Sequence, residues 1–330
     1  MLLGQRLADT PMTTVGYHAS HEQFAPSDLL EYVRLADEHG FSDVLASDHF
    51  HPWSEQQGES GHVWSWLGAA LATTDLTYGT VNAPGYRYHP AVIAQAAATH
   101  REMHPERFWL AVGSGQQLNE GITGEHWPVK RERNARLQEC AEVMRRLWDG
   151  ETVTHHGRIT VEEATLYTRP ETAPPLIGAA QSTATARWLG EWADGMITVG
   201  SVDPEEVAER VAAFRDVAPE KPVYVKAELA YDPDAEEAKR LAADQWLSNC
   251  LPGPVTQELR RPEQYGALAD QLPTDEITDH VMVSSDLDRH IEWLSGLAEL
   301  DVETLIVHNV TPKQKQFIET FGESVLPALR

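Results

Sequence analysis

Cysteine is nearly absent from this sequence: Cys140 and Cys250 are the only two in 330 residues. Two thiols cannot build a disulfide framework, and a zinc centre needs more ligands at close spacing. Cys140 lies in an apolar helical pattern with Leu137 and Met144 and reads as a small core residue. Positive charge is scarce too. Lys and Arg total 26 against 51 Asp and Glu, a formal charge of −25, and only six of the 26 are lysine. Such a chain is poorly equipped to neutralise nucleic-acid phosphates or to dock on an anionic bilayer, so neither partner is expected. No run of 18 apolar residues exists, so no segment is expected to cross a membrane. Met1 to Pro11 lack the apolar stretch of a secretory leader, and the cytoplasm is the expected location. The acidity has two readings: ordinary surface charge, or a halophilic coat whose self-repulsion salt screens.

What is present is an apolar share of 42% with ten tryptophans, enough for a packed interior. It is laid out in alternation. Strand-like runs centre near residues 15, 45, 79, 110, 177, 197, 226 and 306, and helical patterns separate them, the clearest being Arg131 to Trp148. Asp203 followed by Pro204 marks a helix start. Residues 151–170 read as a hairpin excursion, and about 252–285 as an insertion rich in Pro and Gly. Val281 to Val283 form a ninth short run outside the ring. Eight strands alternating with helices predict an α/β fold, a (β/α)8 TIM barrel with insertions, over one domain spanning 1–330. A doubly wound open sheet is the alternative.

In such a barrel the chemistry gathers after the strands. The densest cluster there is Ser47-Asp48-His49-Phe50-His51-Pro52-Trp53. It offers a carboxylate, an imidazole that titrates near neutrality and a flat aromatic wall, though Ser, Asp and Pro also form plain turns. His49 and His51 match no metal-ligand pattern, and no metal is expected. Gly113-Ser114-Gly115 lets main-chain amides approach a ligand. Gly178 to Thr183 offers a second such turn, with Ser182 or Thr183 as helix cap. No P-loop or nucleophile elbow occurs, which disfavours an NTPase or serine hydrolase.

Four stretches carry a resemblance. Gly16 to Pro26, Ser47 to Trp53, Tyr86 to Ala91 and Gly113 to Glu120 resemble the luciferase-like flavin-dependent oxidoreductases. Within that family they resemble most the F420-dependent glucose-6-phosphate dehydrogenase branch and its FMN-using side clade. The resemblance implies the same barrel, a small-molecule substrate and often a homodimer. It also implies hydride transfer with FMN or coenzyme F420, FMN being ranked first. Residue by residue, Asp48 would touch the cofactor ring, His49 would be the base, Trp53 would line the pocket and Glu22 would orient groups near the substrate. Thr80 and Val81 fall where the family places a non-proline cis peptide behind the ring. Ser114 and Gly115 would meet the ring edge. Ala179, Ala180, Gln181, Ser182 and Thr183 would receive the cofactor phosphate.

The departures are equally specific. Gln116 stands where the dehydrogenases place a glutamic acid, and an amide cannot move a proton. The positions matching their sugar-phosphate cations fall at Val199 to Val202, near Ala267 and near His280, without a Lys or Arg. A sugar phosphate is therefore not the expected substrate. A flavin monooxygenase using O2 and a non-catalytic flavin-binding barrel are the alternative functions.

Overall fold

The computed structural model describes residues 13–329; the leader reading of Met1 to Pro11 lies outside them. Strands are numbered in chain order: β1 (Thr14–Ala19), β2 (Asp43–Ser47), β3 (Thr77–Asn82), β4 (Phe108–Val112), β5 (Val153–His156), β6 (Thr160–Ala164), β7 (Leu176–Ala180), β8 (Gly195–Val199), β9 (Val223–Tyr231), β10 (Met282–Ser284) and β11 (Thr304–Asn309). The parallel ladder runs β1-β2-β3-β4-β7-β8-β9-β11 and returns from β11 to β1. Because β8 pairs with β9 as well as β7, the sheet closes, and the open doubly wound alternative is excluded.

The closed ring explains the sequence pattern. Parallel strands covered by helices are buried on both faces, so β4 is apolar throughout, β2 is apolar between Asp43 and Ser47 at its ends, and both strands are buried. Inside the ring Leu45, Trp109, Ala111, Ile177, Ile197 and Ile306 pack with Val81, Ala179 and Tyr224. Trp109 stacks on Tyr224 with centroids 4.7 Å apart. Gly79 makes room for it, since a Cβ there would sit 2.2 Å from the indole.

Two excursions decorate the ring. β5 and β6 form the antiparallel hairpin expected near 151–170. β10 pairs in parallel with the far end of β9, so the ninth run does lie outside the ring. The insertion is helical, a cap of short pieces that includes Gly253–Thr256, Pro262–Ala269 and Ile277–His280. The chain closes on two helical pieces, Gln314–Ser324 and Leu326–Leu329, with Pro327 in the second. A proline there has no amide to continue the first.

Candidate active site

Alternation along the strands sets the floor of the mouth. One pair of residues above the interior cluster, β9, β11, β1 and β2 raise Lys226, His308, His18 and Ser47. On the opposite half β3, β4, β7 and β8 raise Val81, Gly113, Ala179 and Val199. The floor is therefore polar on one side and carbon-lined on the other.

On the polar side Glu22, buried in the turn after β1, faces His49 after β2, with His49 Nδ1 2.8 Å from Glu22 Oε1. Ser20 Oγ donates to Glu22 Oε2 at 3.1 Å, and Ser47 Oγ donates to the same oxygen. Burial pushes the Glu22 carboxyl upward. The adjacent His49 and these hydrogen bonds outweigh it and hold the group well below the usual carboxylate range, so Glu22 is ionised. The Trp53 ring meets His49 edge-on with centroids 5.0 Å apart and rests against Tyr265 of the cap.

Behind this pair the His18 and His308 rings lie 4.3 Å apart. Burial drives both far below the usual imidazole range, so both are neutral. Lys226 is spent on Glu228 at 2.8 Å, and Glu228 also accepts from Trp246 Nε1 at 3.1 Å.

Asp48 turns the other way. It accepts from Arg87 Nη1 at 3.2 Å and from Asn82 Nδ2, while Arg87 Nη2 donates to its main-chain carbonyl at 2.9 Å. Arg87 also faces Glu120, Nε to Oε1 at 3.6 Å, and donates its amide to Oε2 at 3.1 Å. Two buried carboxylates thus share one guanidinium. Burial raises Glu120 to about 7 against the pull of Arg87. Glu120 lies under the predicted ring-edge turn: a Cβ on Gly115, whose φ is +78°, would meet Glu120 Cγ at 2.9 Å.

The structure brings together Glu22, Asp48, His49, Trp53, Val81, Ser114, Gly115 and Ala179 around one mouth. Thr80 does not join them. Its hydroxyl donates to the Ala46 carbonyl at 2.9 Å, and strand alternation aims it at the helix layer. Ala180 is turned out of the barrel for the same reason. No peptide bond is cis among the described residues, so the cis bond expected at Thr80-Val81 is corrected. That stretch is laddered on both sides, Val81 opposite Ser47 and Ala111. Gln116 precedes the short helix Gln117–Glu120, whose last two amides it accepts. Ser182 caps the helix Thr183–Gly190, taking the Thr185 amide at 3.3 Å, beside exposed Gln181 and Thr183. His51 leaves the site, its Nδ1 held by the Leu118 carbonyl at 2.8 Å.

Sequence reasoning had not singled out Lys226 and Glu228. Their signal was two charges at alternate positions of an otherwise apolar strand. Arg87 and Glu120 lay in quoted motifs, but their pairing through Asp48 is a tertiary fact.

Comparison with known proteins gives a consistent picture. The luciferase-like monooxygenase family model matches residues 10–304. The F420-dependent glucose-6-phosphate dehydrogenase of Microbacterium testaceum (strain StLB037) is 36% identical over 326 residues, 96% of this chain and 97% of that protein. A structure of an F420-dependent secondary alcohol dehydrogenase in complex with an F420-acetone adduct superposes with a TM-score of 0.90 at 31% identity, covering 97% of this chain and all of that one. Monooxygenase RslO1 from Streptomyces bottropensis, at 20% identity and a TM-score of 0.73, shares the fold.

Proposed function

Since the chain belongs to the luciferase-like monooxygenase family and is an oxidoreductase, we propose that it is an F420-dependent dehydrogenase of an uncharged alcohol. The observation that carries this reading is the Glu22–His49 pair, set at the boundary between the polar and carbon-lined halves of the floor. F420 ranks above FMN because the dehydrogenase relative and the structure at 31% identity are both named for it. The residues present suit such a group. Val81, Gly113 and Ala179 offer a flat carbon surface, Asn82 Oδ1 is buried without a partner beside Asp48, and Ser182 opens a helix N-terminus at the far side.

When bound, F420 supplies a ring carbon that accepts a hydride; the chain supplies the rest. Glu22 holds His49 through Nδ1 and leaves Nε2, which has no partner among the described residues, as the proton acceptor. For a carbinol to become a carbonyl its hydroxyl proton must leave as well as its hydride, and His49 Nε2 would take that proton. Ionised Glu22 stabilises the resulting imidazolium, and Trp53 keeps water from that face.

The choice of an uncharged substrate rests on the cations of the mouth. Lys226 is paired with Glu228 and Arg87 with Asp48 and Glu120. Near the sites expected for sugar-phosphate cations, His280 faces Glu276 at 3.5 Å and Arg210 is spent on Thr198 and the Val199 carbonyl. At these two positions a phosphate dianion would find no unpaired cation among the described residues. Glucose 6-phosphate, after the relative's name, is the second reading.

A spectrophotometric assay of F420 reduction against secondary alcohols, polyols and glucose 6-phosphate decides between them. Turnover of neutral alcohols with none of the phosphate ester supports the proposal; the reverse preference overturns the substrate class. A sample that binds neither F420 nor FMN would overturn the cofactor reading, and rapid O2-dependent formation of an oxygenated product with reduced FMN would make it a monooxygenase. The homodimer implied by the family resemblance is part of the same proposal.

A further inference from the structure

The helical cap borders a second concave site, open to solvent, whose lining includes neither Glu22 nor His49. A cavity of about 500 Å³ opens between the cap and the turn after β4. Its polar wall is Arg260, Arg261, Gln117, Gln264 and His51, whose Nδ1 is held by the Leu118 carbonyl; its apolar wall is Leu118 and Ile122, with Gly121 between them. Among the described residues no carboxylate lines it. Leu118 also packs with Trp53 and Tyr265, so the cavity backs onto the wall of the substrate pocket.

The arginines set this cavity apart. Others at this end of the molecule are matched: Arg87 by Asp48 and Glu120, Arg136 by Glu125 at 3.1 Å, and Arg133 by Glu258 at 3.6 Å. Glu258, two residues from Arg260 in sequence, is thereby turned to Arg133. With its amide set as its neighbours require, Gln117 donates to the Glu258 carbonyl at 2.7 Å and accepts from Arg260 Nε at 3.2 Å. That is a neutral partner for one guanidinium. The Arg261 guanidinium has none among the described residues. The turn that presents the pair is fixed, because Gln264 Oε1 accepts both main-chain amides at 2.9 and 3.1 Å. That leaves Gln264 Nε2 as a further donor. In a chain with twice as many acids as bases, two adjacent guanidiniums facing a cavity without a carboxylate form an exception that an anion would complete.

We propose that this cavity is an oxyanion site for a carboxylate or phosphate carried on a small apolar body, with Arg260 and Arg261 holding the anion and Leu118 and Ile122 covering the rest. Guanidinium forks recognise planar carboxylates and phosphates in two-pronged fashion, and the adjacent carbon wall favours an attached aliphatic or aromatic group over a bare ion. The anion has two sources: a separate small acid, or the acidic oligoglutamyl tail of F420, the latter resting on the cofactor reading above.

Two measurements on the full chain separate these sources. In the first, the melting temperature is followed with benzoate, without cofactor, for the wild type and for Arg260→Gln/Arg261→Gln. Both side chains are exposed, so the double variant is expected to melt near the wild type without ligand. A rise with benzoate in the wild type, absent from the variant, supports a separate acid. In the second, F420 and the form of it that keeps the phosphate but lacks the glutamyl tail are titrated by fluorescence. A preference for F420 of about 10-fold or more that the variant erases, with the affinity for the tail-free form unchanged, supports the tail. No benzoate response together with an unaltered ratio of the two affinities overturns the site. If neither form binds, the cofactor reading fails separately and the benzoate arm alone decides.

Discussion

In the proposed mechanism His49, as proton acceptor, and Glu22 divide one task, and their substitutions should divide the kinetics accordingly. His49→Ala removes the proton acceptor, so kcat for alcohol oxidation should fall by about 10²- to 10⁴-fold while cofactor affinity by fluorescence titration is kept. Glu22→Gln keeps the shape but loses the charge that stabilises the imidazolium, so it should lower kcat more than it raises KM. Unchanged turnover in His49→Ala would remove the imidazole from the mechanism. Glu120 makes a separate prediction about stability. Its carboxyl is raised to about 7 in the fold, so between the ordinary carboxylate value and 7 the folded state binds more protons than the unfolded one. This group therefore stabilises at low pH and loses that contribution as pH rises through about 7. His21, lowered by burial to about 4, acts in the opposite direction between 4 and its ordinary value, so the test is a difference curve. Relative to wild type, Glu120→Gln should gain stability on going from pH 5 to pH 8, by on the order of 1–3 kcal/mol in chemical denaturation. A flat difference curve would mean that Glu120 is ionised throughout. The cluster after β2 was legible in the sequence because turn-forming residues, a carboxylate and an imidazole crowd there. The sharing of Arg87 between Asp48 and Glu120 was not, because it joins three separate loops and periodicity carries no information about which loops meet.

At the scale of elements, the eight barrel strands were readable because parallel strands buried on both faces leave uninterrupted apolar runs. The direction of a side chain within such a run was not readable, which is how Thr80 came to be grouped with Val81. Alternation resolves that only once a neighbour such as Leu45 is known to point inward. The cap was read as an irregular insertion because Pro and Gly recur along it; yet Pro252, Pro262 and Pro273 each stand at or beside the start of a helical piece, where a proline costs nothing. Gly79 is the barrel's tightest point. Gly79→Ala drives a methyl into the Trp109 indole and should cost about 1–3 kcal/mol, or more if Trp109 cannot shift off Tyr224, read as a fall in melting temperature with Trp fluorescence altered. A cap residue gives a smaller effect. Asp234 accepts the amides of Glu236 and Glu237 at the start of Ala235–Trp246, so Asp234→Ala should cost about 1 kcal/mol.

At the scale of the molecule, the excess of acids is not relieved by the fold. Glu31–Lys315 and Arg187–Asp216 are surface pairs of the kind that contribute little, and most carboxylates have no cation to meet. If the charge is a halophilic coat, the midpoint of thermal unfolding should climb steadily from low to molar NaCl as repulsion is screened. A midpoint that stays level would identify it as ordinary acidic surface. Among the described residues no helix is long and apolar enough to cross a membrane.

The divided floor also gives the site a handedness. One half presents carbon, the other donors and acceptors, and the proton acceptor rises from a single wall between them. Those three directions are not interchangeable by any rotation, so in the proposed mechanism a secondary alcohol with two unlike arms would seat its hydroxyl on His49 in only one sense. Its mirror image would have to lay the larger arm against Lys226 and Glu228 or turn its hydrogen away from the carbon-lined half. Dehydrogenation should accordingly consume one enantiomer of a racemic alcohol and leave the other, and the reverse reaction should deliver hydrogen to a single face of the ketone.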